Sequence, residues 1–116
     1  MSKRKITKLN QLRFKPFNKY GKPIKGWSWH QISFDKKTNF GTYISKLEPG
    51  TKTPLHVHTG HEEFLILAGE LIDSDKTIFK KGDFISYKPN SIHSSYTKKG
   101  CLILTFMRGH NNQIKK

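Results

Sequence analysis

The apolar residues of this chain occur in short runs separated by turn-forming residues, and this pattern restricts the possible fold more than any other feature. Gly, Pro, Asn and Asp lie in most of the intervals between the runs. No stretch of ten residues has a convincing helical period, and no internal repeat is present. The pattern therefore predicts a small all-β sandwich or barrel. Its strands are expected at 28–34, 40–47, 53–58, 62–68, 70–73, 76–79, 83–88, 92–97 and 101–107.

The 116 residues suffice for one domain with a modest core. The net charge of +14 is concentrated at the two ends of the chain. Residues 1–25 contain nine Lys or Arg and no acidic residue, and residues 108–116 contain three more. The stretch between them has ten basic and eight acidic residues, so its net charge is only +2. We predict a basic N-terminal arm at 1–25, a barrel at 26–109 and a polar C-terminal tail at 110–116.

The basic ends are interpreted first as a solvated, lysine-rich surface. Binding of nucleic acid or anionic lipid through these tails is the alternative, and it would be salt-sensitive and non-specific. No apolar run follows the N-terminal charges, so neither a signal peptide nor a membrane-spanning helix is expected. The single cysteine, Cys101, cannot form an internal disulfide, and a cytoplasmic protein is expected.

Two histidines in a predicted strand indicate a metal site. His56 and His58 are two residues apart, so their side chains point to the same face of the strand. A carboxylate shortly after them and the distant His93 can complete a site that leaves one or two positions open. Glu62 and Glu63 are adjacent and face opposite ways, so only one of them can join this site.

The segment from Gly50 to Gly69 resembles the first motif of the cupin superfamily, G-x5-H-x-H-x3–4-E-x6-G, at every fixed position. Residues 88–93, Lys-Pro-Asn-Ser-Ile-His, resemble the second motif, P-x-G-x-x-H. Lys88 replaces the usual Pro, and Asn90 replaces the usual Gly, which it can do because Asn tolerates a left-handed backbone. Residues 26–109 look like the small cupins related to the ChrR anti-sigma sensor domain and to acetylacetone-cleaving dioxygenases.

The resemblance implies a cupin jelly-roll (double-stranded β-helix) barrel that binds one divalent metal ion. It implies four metal ligands, His56, His58, Glu62 and His93, and leaves Glu63 pointing outward, where a Lys is its expected partner. The dioxygenase side of the resemblance favours Fe2+ and the ChrR side favours Zn2+. Mn2+ and Ni2+ also suit this set of donors.

The predicted function is that of a small-molecule enzyme, a metal-dependent oxidoreductase with non-haem Fe(II) dioxygenase-type chemistry. A Zn, Mn or Ni Lewis-acid lyase or isomerase is one alternative, and a non-enzymatic Zn-binding sensor module is the other. No catalytic residue is assigned. His61, Tyr87 and Tyr43 are candidates for supporting the metal ligands or the substrate.

The predicted substrate pocket includes Phe64 and Ile66, which share the face of Glu62. Phe106 is expected to extend this wall, as part of the alternating set Leu102, Leu104 and Phe106; the other set, Ile103, Thr105 and Met107, is the alternative. The predicted strands at 62–68 and 101–107 are apolar on both faces, so something must cover their outer face. A homodimer is expected for this reason.

Overall fold

The computed structural model describes residues 3–114, and it is all-β apart from one turn of 3-10 helix at Leu9–Gln11. The all-β prediction is therefore confirmed. The strands of the described chain are Lys15–Pro16 (β1), Trp27–Gln31 (β2), Phe40–Leu47 (β3), His56–His58 (β4), His61–Asp73 (β5), Ile78–Lys80 (β6), Phe84–Tyr87 (β7), Ile92–His93 (β8), Ser95–Tyr96 (β9), Cys101–Arg108 (β10) and Asn111–Gln113 (β11).

The strands form two antiparallel sheets. The wide sheet has the order β1-β2-β3-β10-β5-β6, and β7 and β9 also pair with β5. The small sheet has the order β11-β4-β8. The predicted barrel is thus built, within residues 3–114, as two separate sheets rather than as one closed sheet. Side chains from both sheets line a shared cavity, which places the cavity between them.

The longest strand, β5, joins two strands that were predicted separately, at 62–68 and 70–73. Gly69 has a φ of +76°, and the register between β5 and β10 shifts beside it. This β-bulge lets the strand bend without ending. A Cβ at Gly69 would lie 2.1 Å from the carbonyl oxygen of Gly100, so only glycine fits there. As a result, β5 carries Glu62 near one end and Asp73 at the other.

The last long strand, β10, alternates between a buried and an outer face. Its buried set is Cys101, Ile103, Thr105 and Met107. The prediction that Phe106 joins the pocket was wrong, because Phe106 lies on the outer face and stacks on Phe84 with ring centroids 6.2 Å apart. Phe84 itself is 55% exposed, and the homodimer that would cover this face stays a prediction.

The packed structure includes residues from both chain ends, beyond the predicted boundaries at 25/26 and 109/110. Phe17 is fully buried and stacks on Trp27 at 3.7 Å, although it lies in the predicted arm. The neighbouring strand β1 pairs with β2. At the other end, β11 pairs with β4, although it lies in the predicted polar tail. Within residues 3–114, no helix has the length and apolar character needed to cross a membrane.

Candidate metal centre

Three strands bring the predicted ligands together. His56 and His58 lie on one face of β4, and His56 is paired across the small sheet with His93 of β8. Glu62 reaches the same point from the start of β5 in the wide sheet. One donor atom from each residue lies within 4.8 Å of the others, and all four residues are buried. The arrangement predicted from strand alternation is thus present.

The turn before β8 supports this geometry. Asn90 has a φ of +74°, the left-handed conformation expected where the second cupin motif usually has glycine. Its backbone N–H donates to the carbonyl of His58 at 2.7 Å, and the N–H of His58 donates to the carbonyl of Ser91 at 2.9 Å. The turn is therefore tied directly to the histidine strand.

Hydrogen bonds at the Nδ1 atoms fix how the three imidazoles are protonated. Nδ1 of His56 lies 2.8 Å from the carbonyl oxygen of Pro54, which can only accept, so this nitrogen carries the proton. Nδ1 of His93 donates in the same way to Oδ1 of Asp73, at 2.8 Å. Nδ1 of His58 donates to Oγ of Ser91, whose own proton goes to the carbonyl of Lys88. A neutral ring with its proton on Nδ1 has its lone pair on Nε2.

These lone pairs converge on one point. Nε2 of His56 lies 3.0 Å from Nε2 of His58, which lies 2.7 Å from Oε2 of Glu62. Nε2 of His93 is buried and has no hydrogen-bond partner within residues 3–114. Lone pairs at these separations repel one another unless a proton or a metal ion lies between them, and in the metal-free cluster a proton on Nε2 of His58 forms a hydrogen bond to Glu62. The donor set fits a divalent metal ion.

The charges of the cluster also suit a metal. Burial lowers the pKa of His56 to about 4, so its ring is neutral at neutral pH. Burial alone would raise the pKa of Glu62, but the hydrogen bond and charge of His58, with the charge of Lys19, outweigh it and lower that pKa to about 2. Neutral imidazole and ionised carboxylate are the forms that bind metals.

Asp73 holds His93 in place. Its Oδ1 accepts the Nδ1–H of His93 at 2.8 Å and a longer bond of 3.3 Å from Ser95, while its Oδ2 accepts the hydroxyl of Tyr87. The ring of Tyr87 stacks on His93 with centroids 4.3 Å apart. A carboxylate behind a metal-binding histidine fixes the ring and makes its free nitrogen more basic.

Asn111 supports Glu62 from the opposite side. Its Nδ2 donates to Oε1 of Glu62 at 3.1 Å, which leaves Oε2 for the cluster. Asn111 belongs to β11, and the pairing of β11 with β4 positions it. Sequence reasoning missed both Asn111 and Asp73, because neither has a spacing relation to the ligands. The pairing of distant strands is what makes them neighbours of the site.

The family model described as the ChrR cupin-like domain matches residues 2–111. The chain belongs to this family. The match spans the motif that carries His56, His58 and Glu62 as well as the turn that carries His93.

Solved structures resemble this cupin along most of its length. A putative acetylacetone dioxygenase from Methylibium petroleiphilum PM1 aligns with a TM-score of 0.78 and 19% identity, covering 99% of this chain and 86% of that protein. A polyketide cyclase from Streptomyces resistomycificus aligns with a TM-score of 0.73 and 16% identity, covering 97% and 87%. A protein of unknown function with a cupin-like fold from Ralstonia eutropha JMP134 aligns at 0.71 and 18%, covering 78% of this chain and 65% of its own.

Identities this low establish the cupin fold and not a shared reaction. No protein with a curated description matches the chain.

Of the remaining predicted site residues of this cupin, four lie at the cluster, the cavity or the adjoining core, and one does not. Tyr87 lies against His93, Tyr43 and Phe64 line the cavity, and Ile66 is buried in the adjoining core. His61 is exposed at the start of β5 and is not brought to the cluster.

Glu63 points outward as predicted, but its partner is an arginine rather than a lysine. Oε1 of Glu63 lies 3.2 Å from Nη2 of Arg108, and Oε2 accepts from Ser86 at 3.0 Å.

A small cavity of about 50 Å³ adjoins the cluster. One buried water needs roughly 15 Å³, so the space suits a molecule of a few non-hydrogen atoms. Burial raises the pKa of Tyr43, so its hydroxyl remains protonated and can donate to a bound molecule. The cavity is lined by Tyr20, Trp27, Tyr43, Ser45, Leu47, Thr53, His56, Glu62, Phe64, Leu71, His93, Ser95, Ile103, Thr105 and Asn111.

Proposed function

We propose that this cupin is a metal-dependent enzyme that acts on a small molecule through non-haem Fe(II) dioxygenase-type chemistry. The observation that carries the proposal is the position of the cavity. Three of the four candidate ligands, His56, Glu62 and His93, line it. A purely structural metal site is closed by protein on all sides, whereas a catalytic site keeps an accessible side.

The composition of the cavity wall favours oxygen chemistry over proton transfer. Within the described chain, the wall has no carboxylate besides Glu62, which the cluster already uses. An isomerase or lyase needs a general base near the substrate, and none of the lining carboxylates is free for that role. An iron ion in this site would supply binding positions for an organic substrate and O2.

The protein's own contribution is to orient the substrate and to exclude water. Phe64, Leu71 and Ile103 form an apolar wall beside the cluster. Tyr43 and Ser45 bring hydroxyl groups to the opposite part of the wall, where Ser45 also accepts the indole N–H of Trp27 at 2.9 Å. A dry, apolar wall strengthens the electrostatic interactions of a bound substrate.

Metal content decides the first step of the proposal. Protein purified without added metal or chelator is measured by elemental mass spectrometry beside two variants, His56→Ala and the matched control His61→Ala. The proposal expects near-stoichiometric iron in the wild type and the control, and none in His56→Ala. A wild-type protein as empty as His56→Ala would overturn the metalloenzyme proposal.

Oxygen consumption decides the second step. The iron-loaded protein is screened with β-diketones, thiols and small carboxylic acids, with His56→Ala as the blank. Substrate-dependent O2 uptake supports the dioxygenase. Tightly held zinc with no turnover would instead favour the sensor module, and zinc, manganese or nickel with O2-independent turnover would favour a lyase or isomerase.

A further inference from the structure

The ammonium group of Lys19 is buried near Glu62 of the candidate metal centre and has no hydrogen-bond partner in the described part of the chain. Nζ of Lys19 is buried and makes no hydrogen bond within residues 3–114. It lies 5.3 Å from the ring centroid of Tyr20 and 6.0 Å from that of Phe34. An ammonium group has three donors, and burying it without an acceptor is unfavourable unless a partner arrives.

The placement of Lys19 is set by the packing of the N-terminal segment. Phe17 is fully buried, and its backbone is hydrogen-bonded to Trp27 and Ile24. The next residues form a turn in which the N–H of Gly21 donates to the carbonyl of Asn18 at 2.9 Å. Lys19 occupies the middle of this anchored turn, so its position is a feature of the fold and not of a loose tail.

Tyr20 connects this ammonium with the cavity. The ring of Tyr20 lines the cavity, and its centroid lies 6.4 Å from that of His56. Lys19 lies over the same ring and is close enough to Glu62 for their charges to interact. Lys19 itself does not line the cavity, so its positive charge acts on the candidate metal centre from its position over the Tyr20 ring.

The charge balance changes when a metal binds. Glu62 is the negative charge that acts on Lys19, and a divalent ion would be bound directly by that carboxylate. The ion brings two positive charges to a cluster with one anionic ligand, so Lys19 then faces a site with excess positive charge. A bound anion would neutralise the site and provide the ammonium with an opposite charge nearby.

We propose that the cavity binds a small organic anion through a carboxylate or enolate oxygen, and that Lys19 supplies positive charge that selects this anion over a neutral molecule. The inference rests on the proposed metal site and deepens it by naming the class of substrate. Burial lowers the pKa of Lys19 to about 8, so the side chain is still mostly charged at pH 7.

Binding of acetate and of its uncharged isostere acetamide tests the inference. Both fit a small cavity, and Trp27, which lines it, reports occupancy through its fluorescence. Zinc-loaded protein is titrated at pH 7 as wild type, as Lys19→Met and as Lys22→Met, whose side chain is exposed in the same segment. A charge–charge interaction over several ångströms in a partly buried site corresponds to about 10-fold in affinity. Lys19→Met should weaken acetate binding by about this factor, with acetamide and Lys22→Met unchanged.

An acetate affinity that is equal in the wild type and in folded, zinc-loaded Lys19→Met would overturn the inference. If Lys19→Met does not fold, the ¹H–¹³C signals of the lysine side chains in the wild type decide instead. Acetate should shift the Cε signal of Lys19 and not that of Lys22, and no shift at Lys19 would overturn the inference.

If Lys19-dependent acetate binding occurs without any O2 uptake, the anion site stands and the dioxygenase proposal fails. A protein that binds no metal fails at the earlier step.

Discussion

The two sheets of this cupin differ in how they hold their side chains. In the wide sheet, β5 has 13 residues and β3 and β10 have eight each, and their backbone pairing surrounds an apolar core. In the small sheet, β4 and β11 have three residues and β8 has two. Its imidazoles are held instead by the hydrogen bonds that they donate to the Pro54 carbonyl, the Ser91 hydroxyl and the Asp73 carboxylate. The comparison indicates that the wide sheet stabilises the fold and supplies Glu62, while the small sheet positions the three histidine ligands.

The largest expected effect is the loss of metal binding in Glu62→Gln. The substitution removes the anionic ligand without changing its size, and the wide sheet should keep the protein folded. We expect zinc affinity, measured by competition with a chromophoric chelator, to fall by more than the roughly 100-fold typical of supporting residues. Glu63→Gln, one residue away on the opposite face, is the control. Equal losses in the two variants would contradict the assignment of Glu62.

The complementary change is Ile66→Ala in the core of the wide sheet. Ile66 is 1% exposed, and its truncation leaves a cavity. We expect the free energy of unfolding in urea to fall by about 2–5 kcal/mol, with zinc affinity of the folded protein unchanged. Leu67→Ala, on the partly exposed outer face, should lose less. A loss of zinc affinity in folded Ile66→Ala would break the division of roles between the sheets.

Asp73→Asn tests how much the hydrogen bond between His93 and the Asp73 carboxylate contributes to metal affinity. The amide cannot hold His93 in one protonation state as the carboxylate does, and we expect zinc affinity to fall by about 10- to 100-fold. Asp75→Asn, in the exposed turn, is the control. Wild-type affinity in Asp73→Asn would show that the backbone alone orients His93.

Asp73 should also make the free energy of unfolding depend on pH, with a loss of stability on acidification. Burial raises the pKa of Asp73, but hydrogen bonds from His93 and Tyr87 outweigh this and hold it below the ordinary value of 3.8. Folding therefore favours the ionised form, and the stabilisation is present above about pH 4 and is lost as pH falls through the lower folded pKa. The difference in unfolding free energy between wild type and Asp73→Asn, both metal-free, should shrink on acidification below pH 4. A difference independent of pH would contradict this.

The smallest expected effect is a gain of stability in metal-free Lys19→Met. Burial lowers the pKa of Lys19 to about 8 from 10.5, with Glu62 as the opposing charge and the Tyr20 ring beneath the ammonium. The folded state thus binds fewer protons between these values, so wild-type stability should rise as pH increases through them. Lys19→Met should be more stable by about 1–3 kcal/mol at pH 7, and the gain should disappear above about pH 10.5. Lower stability at pH 7 would indicate that Lys19 mainly supports Glu62.

The features that could be predicted from the sequence depend on residues that lie close together along the chain. His56 and His58 share a face because they are two residues apart, and the all-β class follows from the short apolar runs. The choice between Glu62 and Glu63 required the family resemblance. In β10 both alternating sets are largely apolar, so alternation could not decide whether Phe106 or Met107 faces inward.

The site residues that could not be predicted depend on contacts between segments that are distant in the sequence. Asp73 lies next to a predicted turn and reaches His93 because β9 pairs with the far end of β5. Lys19 and Asn111 lie in segments whose polar composition resembles solvated tails. Their roles depend on the burial of Phe17 and on the pairing of β11 with β4, and neither has a local signal in the sequence.

The pairing of β11 with β4 has a consequence for the order of events during synthesis. Glu62 receives the amide of Asn111 only after the chain has been made as far as residue 111 and that strand has returned to the histidines. Contacts of such large sequence separation form late in folding, because a long loop must close first. The metal-binding pocket is therefore completed near the end of folding, and a metal ion captured by the nascent histidines would lack the support of the finished site.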